Sequence, residues 1–462
     1  MKFMMNFPRV AIAGLGGDSG KTFLTCGLLA AFKDKGLRSA PFKKGPDYID
    51  PAWLKLASGE PTRNLDTWLM AEDAIRLSFL EHARGKDVSV LEGNRGLYDG
   101  FDSAGTHSTA HLAKLLDMPV VLVFNNTKMT RTSAAIVMGC KMLDKELNLA
   151  GVVLNQIANP RHLKVASEAI EGETGIPVVG HIPRLKNKEI LPSRHLGLVT
   201  PGEFKNAKEA VATVAKVVSD NVDIEKILEI AKASKEIEFF DTKIKVEPRK
   251  QCRIGYLYDK AFSFYYQDNL DALEKSGAEL VKISSIEDKS LPDVDALYIG
   301  GGFPESNILD ISRNKEFIAS LKKSIDGGLP VYAECGGLMY LTRSIEMEGE
   351  DYPLADVFPV KTVIKKKPVG HGYSIMKVDR ENPFFPVGTE IRGHEFHYST
   401  IEEPEEKLDT CLDVERGTGI ISGRDGMLYK NTFAAYLHVH ALATKEWAEN
   451  MIKKAVEFKQ TK

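Results

Sequence analysis

A chain of 462 residues is longer than one hydrophobic core organises, so at least two domains are expected. Its 61 basic and 64 acidic side chains leave a net charge of −3, which excludes a nucleic-acid scaffold held by bulk positive field and requires any anionic ligand to be bound locally. The five cysteines, at positions 26, 140, 252, 335 and 411, form no CxxC pair and indicate neither a disulfide framework nor a zinc cage, and no apolar run reaches membrane length.

In chain order, "MKFMMNFPRVAIAGLGG" is broken by Pro8 and Arg9 and leads into a glycine loop rather than a cleavage site, so a cytoplasmic protein is expected. Over residues 1–235, the β-rich runs "RVAIAG", "VSVLEG", "PVVLVFN", "AGVVLNQ" and "IPVVGHI" alternate with helical segments such as "KTFLTCGLLAAFKDKG". This predicts an α/β domain with a doubly wound parallel sheet and ligands at the strand C-termini. Within it, "GLGGDSGKT", 14–22, lies between a strand and a helix. Backbone N–H groups of Gly14, Gly16, Gly17, Asp18, Ser19 and Gly20 can face phosphate oxygens, Lys21 can reach the terminal phosphates of ATP, and Thr22 can ligate Mg2+. Leu15 occupies the first glycine position of GxxxxGK[ST], and the longer loop resembles that of dethiobiotin synthetase.

A magnesium nucleotide also needs carboxylates. "PFKKGPDYIDP" supplies Asp47 and Asp50 beside two lysines, and "VLEGNRGLYDG" supplies Glu92 at a strand end and Asp99 beyond it. Taken singly, each acid could equally cap a helix or turn. Residues 236–250 read as a linker, after which the alternation restarts over 251–462 and predicts a second doubly wound domain. In "GLPVYAECGGLMYL", Cys335 falls where a strand turns into a helix, a place for a nucleophile activated by a helix N-terminus and equally for a packed core thiol.

The stretches "GPDYIDP", "EGNRGLYDG", "LPSRHLGLVTPGE", "YIGGGFPE", "YAECGGLMYL", "RGHEFHYS" and "YLHVH", in this order, span nearly the whole chain. Together they resemble the cobyrinate a,c-diamide synthases and their relatives that amidate hydrogenobyrinate or nickel sirohydrochlorin. The resemblance implies an N-terminal P-loop domain that activates carboxylates with ATP and a C-terminal class I glutamine amidotransferase domain. The substrates would be a corrin or sirohydrochlorin-type macrocycle, glutamine and ATP, with no nucleic acid or membrane; a homodimer is compatible with it. "GPDYIDP" separates the group from cobyric acid synthases, which amidate other side chains.

Position by position, the resemblance implies Thr22, Asp47 and Glu92 as the magnesium set and Asn155 as an adenine contact. It implies Lys44, Tyr48, Asp50 and Asp99 as substrate-site residues. Cys335 is then the nucleophile and His438 its base, with oxyanion donors on the main chain at Gly301, Gly302 and Gly336. The usual third member, an acid two residues beyond the histidine, is replaced by His440. His394 and His397, at i and i+3 of a strand-like run, point to opposite faces and read as structural or substrate-lining rather than metal ligands. Asn94 and Arg95 stand where the family more often has an apolar pair, and "VFNNTKMTRTSAA" replaces a more usual acidic, glycine-rich segment; both flank the expected macrocycle site. A nucleotide-switch ATPase with an inactive amidotransferase domain is the rival from another class; it has no need of Cys335, His438 or the repeated acids.

Overall fold

The computed structural model describes residues 2–185, 190–194, 197–240, 249–402 and 407–462, in two compact units, Met1–Ile244 and Lys245–Lys462. The first unit runs β1 (Lys2–Met5), β2 (Arg9–Gly14), α1 (Lys21–Asp34), β3 (Ser39–Lys44), α2 (Ile49–Ser58), β4 (Arg63–Leu65), α3 (Glu72–Ala83), β5 (Val88–Glu92), α4 (Thr109–Leu115) and β6 (Val120–Asn125). It continues with α5 (Thr132–Leu143), β7 (Leu149–Ile157), α6 (Pro160–Thr174), β8 (Val178–Pro183), the short β9 (Ser193–Arg194) and β10 (Gly197–Leu198), α7 (Ala207–Asn221), α8 (Ile224–Lys232) and β11 (Ile237–Phe240).

Its seven-stranded sheet has the order β4-β3-β5-β2-β6-β7-β8 and is parallel throughout. Every residue of β2 and β5 is buried, as expected of strands covered by helices on both faces. Helix boundaries follow local chemistry: Asn159 caps α6 through the His162 amide, Pro160 opens it, and left-handed Gly175 closes it. The register pairs Ile12 with Glu92, Lys43 with Glu92, and Asn125 with Asn155, so these residues collect at the C-terminal edge of the sheet.

The stretch 236–250, expected as a linker, includes a strand. Residues 237–240 form β11, which pairs antiparallel with β1, Lys2 opposite Phe240, while residues 241–248 lie outside the described residues. Backbone groups of the first and last strands satisfy one another, which a charge-rich composition does not announce.

The second unit runs β12 (Cys252–Leu257), β13 (Phe262–Phe264), α9 (Gln267–Lys275), β14 (Ala278–Ile283), β15 (Ala296–Ile299), β16 (Gly301–Gly302), α10 (Ile308–Arg313), α11 (Lys315–Asp326), β17 (Val331–Glu334) and α12 (Gly336–Leu341). Then follow β18 (Thr342–Met347), β19 (Glu350–Pro353), β20 (Phe358–Ile364), β21 (Gly370–Val378), β22 (Glu390–His397), β23 (Ser399–Ile401), β24 (Thr410–Arg416), β25 (Arg424–Tyr429), β26 (Thr432–Ala435) and α13 (Glu446–Thr461). Its nine-stranded sheet has the order β14-β12-β15-β17-β26-β25-β24-β21-β22. The first five strands are parallel, with β17 between β15 and β26, and the remainder extend the sheet antiparallel, beyond the doubly wound pattern expected from the sequence. Two buried apolar clusters, one holding Leu338 and Phe317, the other Trp447 and Tyr332, make its core. Among the described residues no helix is long and apolar enough to cross a membrane, and all five cysteines are free.

Candidate functional site

In the first unit the loop after β2 folds around Ser19, whose hydroxyl accepts from the Leu15 and Gly16 amides and donates to the Gly16 carbonyl. Asp18 is left-handed at φ 54°, and Gly20 at φ 100° begins α1; a Cβ on Gly20 would meet Asn155 Nδ2 at 2.5 Å, so only glycine fits. Asn155, expected as an adenine contact, donates to the Ser19 carbonyl at 3.1 Å and ties β7 to the loop. Lys21 Nζ reaches across to the Gly16 carbonyl at 2.8 Å. A cavity of about 1250 Å3 opens here, lined by residues 17–22, Lys43, Asp50, Asn94, Arg95, Asn125 and Asn155 among others.

Thr22 Oγ1 donates to Glu92 Oε1 at 2.8 Å, which brings together two of the three expected magnesium ligands. Between them and the aspartates lies Lys43, 1% exposed, with Nζ at 2.7 Å from Glu92, 2.5 Å from Asp50 and 3.5 Å from Asp47. Burial opposes its charge, yet Asp50, Glu92 and Asp47 overcome that and hold the ammonium well above its ordinary value. Burial would raise Asp50 too, but Lys43 brings it below the usual carboxylate range. Asp47 is pushed up to about 6 by burial and by Asp50, and Glu92 to about 7 by burial, opposed by Lys43. Three carboxyls thus surround one lysine with negative charge to spare. Burial and the Lys43 charge lower Lys21.

Glu92 Oε2 is buried without a hydrogen-bond partner, so the hydroxyl of Thr22, that oxygen and Asp47 present a hard oxygen set that suits Mg2+. Among the described residues no group of three or more His, Cys, Asp or Glu side chains forms a metal cage.

The expected substrate residues divide. Asp50 lines the cavity, and Tyr48 stands half-buried at the start of α2. Asp99 is exposed and accepts from the Gly96 amide at 2.9 Å. Lys44 is buried on the other face of β3, 3.6 Å from Asp66, so Lys43 rather than Lys44 enters the acid cluster. Sequence reasoning left Lys43 without a role, because strand parity, not spacing, decides which lysine turns inward.

In the second unit Cys335 sits between β17 and α12 at φ 47° and ψ −99°, a left-handed conformation that costs a non-glycine residue roughly 1–3 kcal/mol and recurs at functional turns. Its amide donates to the Ala435 carbonyl at 2.7 Å, and its thiol, 7% exposed, lies 3.9 Å from the Phe396 carbonyl oxygen. Burial, reinforced by Glu305, raises the thiol well above its ordinary value, and the Gly336 N–H offsets only part.

The glycines expected as oxyanion donors crowd this turn. A Cβ on Gly301 would lie 2.7 Å from His438 Cε1, and one on Gly336 would lie 3.0 Å from the Gly302 amide nitrogen. His438, 2% exposed, pairs its backbone with His394, and the two rings stack at 4.8 Å. His397 stacks on Tyr436 at 3.6 Å. His440 packs against Tyr266 at 4.6 Å, with Nε2 3.8 Å from Asp268. A residue the sequence reading passed over, Glu334, lies with Oε2 3.4 Å from His438 Nδ1; its place directly before the cysteine, in phase with Tyr332, was the available signal.

Residues 10–199 match the CobQ/CobB/MinD/ParA nucleotide binding domain, and residues 253–446 match the CobB/CobQ-like glutamine amidotransferase domain. A nucleotide-binding unit joined in one chain to an amidotransferase unit defines a glutamine-hydrolysing ligase that uses ATP. The cobyrinate a,c-diamide synthase of Archaeoglobus fulgidus is 42% identical over 98% of this chain and 99% of its own. Those of Magnetococcus marinus and Dehalococcoides mccartyi strain CBDB1 are each 40% identical, over 96% and 98% of this chain and 96% and 99% of theirs. The chain belongs to the cobyrinate a,c-diamide synthase family.

Proposed function

We propose that this chain amidates the a and c acetate carboxylates of cobyrinate, with ATP as activator and glutamine as nitrogen donor. The observation that carries the reading is that one chain holds both halves of the chemistry. A GKT loop is hydrogen-bonded to a buried acid in one unit, and a cysteine stands on a strained strand-to-helix turn, with a histidine beside the adjoining glycine strand, in the other. The relatives' names supply the macrocycle.

In the second unit the Cys335 sulfur attacks the amide carbon of glutamine while His438 takes the thiol proton. Main-chain N–H groups at Gly302 and Gly336 face the developing oxyanion. The proton returns to the leaving nitrogen, ammonia departs, and water hydrolyses the thioester to glutamate. The raised thiol makes the histidine necessary, since little thiolate exists beforehand.

In the first unit, direct attack of ammonia on a carboxylate would have to expel oxide. The substrate carboxylate instead attacks the γ-phosphorus of ATP, ADP leaves, and ammonia then displaces phosphate from the acyl phosphate. Loop N–H groups and Lys21 hold the phosphates, and Asn155 fixes the loop. Thr22, Asp47 and Glu92 would hold Mg2+, which supplies charge neutralisation at the phosphates. Tyr48, Asp50 and Asp99 border the macrocycle.

The test is incubation with ATP, Mg2+ and glutamine carrying heavy nitrogen in its amide, with cobyrinate, hydrogenobyrinate or nickel sirohydrochlorin in parallel. Mass spectrometry counts the labelled amides. Two on cobyrinate are expected; two on nickel sirohydrochlorin alone would move the substrate to that macrocycle, and label on none would defeat the reading.

A further inference from the structure

The glutaminase chemistry leaves one feature unexplained, namely what holds the His438 ring. The position two residues beyond it is taken by His440, which packs on Tyr266, accepts the Leu442 amide at Nδ1 and has Nε2 3.8 Å from Asp268. Stacking on His394 fixes the plane of the His438 ring but not which nitrogen carries the proton.

Glu334 lies at the end of β17 with no solvent exposure. Strand alternation places Tyr332 on its face, and the register pairs Tyr332 with Tyr298 on β15. Tyr298 Oη donates to Glu334 Oε2 at 2.9 Å, Tyr332 Oη to Oε1 at 3.2 Å, and the Val439 amide to Oε1 at 3.1 Å. This surround consists of donors only and matches a carboxylate, which accepts at every lone pair. Burial and the Glu334 charge raise both tyrosines well above their ordinary values, so they remain donors. Oε2 also lies 3.4 Å from His438 Nδ1, while Cε1 and Nε2 of that ring border Gly301, whose backbone adjoins Gly336, the residue after Cys335.

We propose that Glu334, the residue directly before the nucleophile, is the positioning residue for His438: it accepts the Nδ1–H, fixes that tautomer, and leaves the Nε2 lone pair to take the Cys335 proton. The proposal rests on the assignment of Cys335 and His438 above. When the sulfur–carbon bond forms, the proton moves from Sγ to Nε2 and the imidazolium is held against the Glu334 carboxylate, which stays unprotonated. The proton then passes to the departing nitrogen as the carbon–nitrogen bond breaks, and His438 returns to the same tautomer. The acid of the relay thus comes from the nucleophile's own strand instead of from the chain beyond the base.

The geometry predicts how a near-isosteric change fails. In Glu334→Gln the amide oxygen is required at the Oε1 position, where the Val439 amide can only donate, so the amide NH2 falls at Oε2, the Tyr298 hydroxyl that donated there turns its hydrogen away, and the NH2 donates to Nδ1. That forces the proton onto Nε2, the wrong nitrogen. The experiment measures glutamine hydrolysis and ammonium-driven amidation by the full-length wild type, Glu334→Gln and, as a blank, Cys335→Ala. Glu334→Gln is expected to lower the glutaminase kcat by about 100-fold or more, with the KM for glutamine within about threefold. The acid limb of its kcat/KM profile moves to lower pH, because the imidazolium loses its counter-charge, while ammonium-driven amidation stays near wild type.

A Glu334→Gln glutaminase close to wild type with an unmoved limb would overturn the proposal, and so would joint loss of both activities. In wild-type protein, nitrogen NMR of labelled histidine gives a second reading: Nδ1–H supports the proposal and Nε2–H overturns it. A wild type that hydrolyses no glutamine would instead defeat the assignment of Cys335 and His438, and this inference with it.

Discussion

The phosphate-loop edge of the first unit and the cysteine turn of the second prepare for reaction in opposite ways. At the first, a buried lysine and three carboxyls hold one another, and readiness is a matter of charge left in surplus. At the second, the nucleophile is buried with its thiol held above its ordinary value, and readiness is stored in a left-handed backbone, in glycines that admit the histidine, and in a buried carboxylate beside it. A phosphate site must accept a highly charged ligand and is built from compensated charge. A thiol that must not react before glutamine arrives is built from geometry. The comparison implies that charge-removing changes break the first site and shape-preserving changes to donors break the second.

The largest expected effect separates the two outright. Cys335→Ala should lower glutamine-dependent amidation by about 10^4-fold or more yet leave ammonium-dependent amidation at raised pH near wild type, since alanine fits the turn and only the nucleophile is gone. Product measured with each nitrogen source checks it; loss of both in a folded variant would give Cys335 a structural role. Next, Lys21→Ala should reduce amidation by about 10^3-fold with either source, because the lysine serves carboxylate activation alone. Normal product from free ammonia would refute the phosphate-loop assignment.

A smaller effect sharpens the first site. Glu92→Gln and Asp47→Asn each remove one charge while keeping shape, so kcat for amidation should fall by about 10–100-fold and the Mg2+ needed for half-maximal rate should rise. Unchanged magnesium dependence in both would sink the ligand set.

The smallest effect tests the neutrality of the second unit. Burial lowers His397 to about 4 and holds His394 well below its ordinary value. The unfolded chain therefore binds protons that the folded one refuses between about pH 6.5 and 4, so this part of the stability is present above that window and is lost as pH falls through it. His397 alone accounts for on the order of 2–3 kcal/mol. Urea midpoints of the full chain at the two ends of the window should converge in His397→Gln; an unaltered acid slope would refute the assignment.

Much of this was legible in the residues. The β-rich runs and the GKT loop fixed the first sheet and its reactive edge, and the cysteine between an apolar run and "GGLMYL" marked the turn. What stayed hidden depends on register across distant segments. Lys43 outranks Lys44 only because β3 pairs with β5 so that Lys43 lies opposite Glu92. Glu334 faces His438 only because β26 runs beside β17 and carries the chain on past Ala435. The antiparallel half of the second sheet and the pairing of β1 with β11 likewise join segments whose composition gives no sign of the partner. The burial that raises the thiol is a property of the packed unit and of no single residue.

That β1–β11 ribbon has a consequence for the history and handling of the chain. A unit whose opening and closing strands are hydrogen-bonded to each other begins and ends at one place, like a cassette with its two connectors side by side. Such a module can be joined to another body, exchanged or reconnected without threading the new chain through its core. It also makes the first few residues a clasp: trimming them leaves β11 without its partner strand.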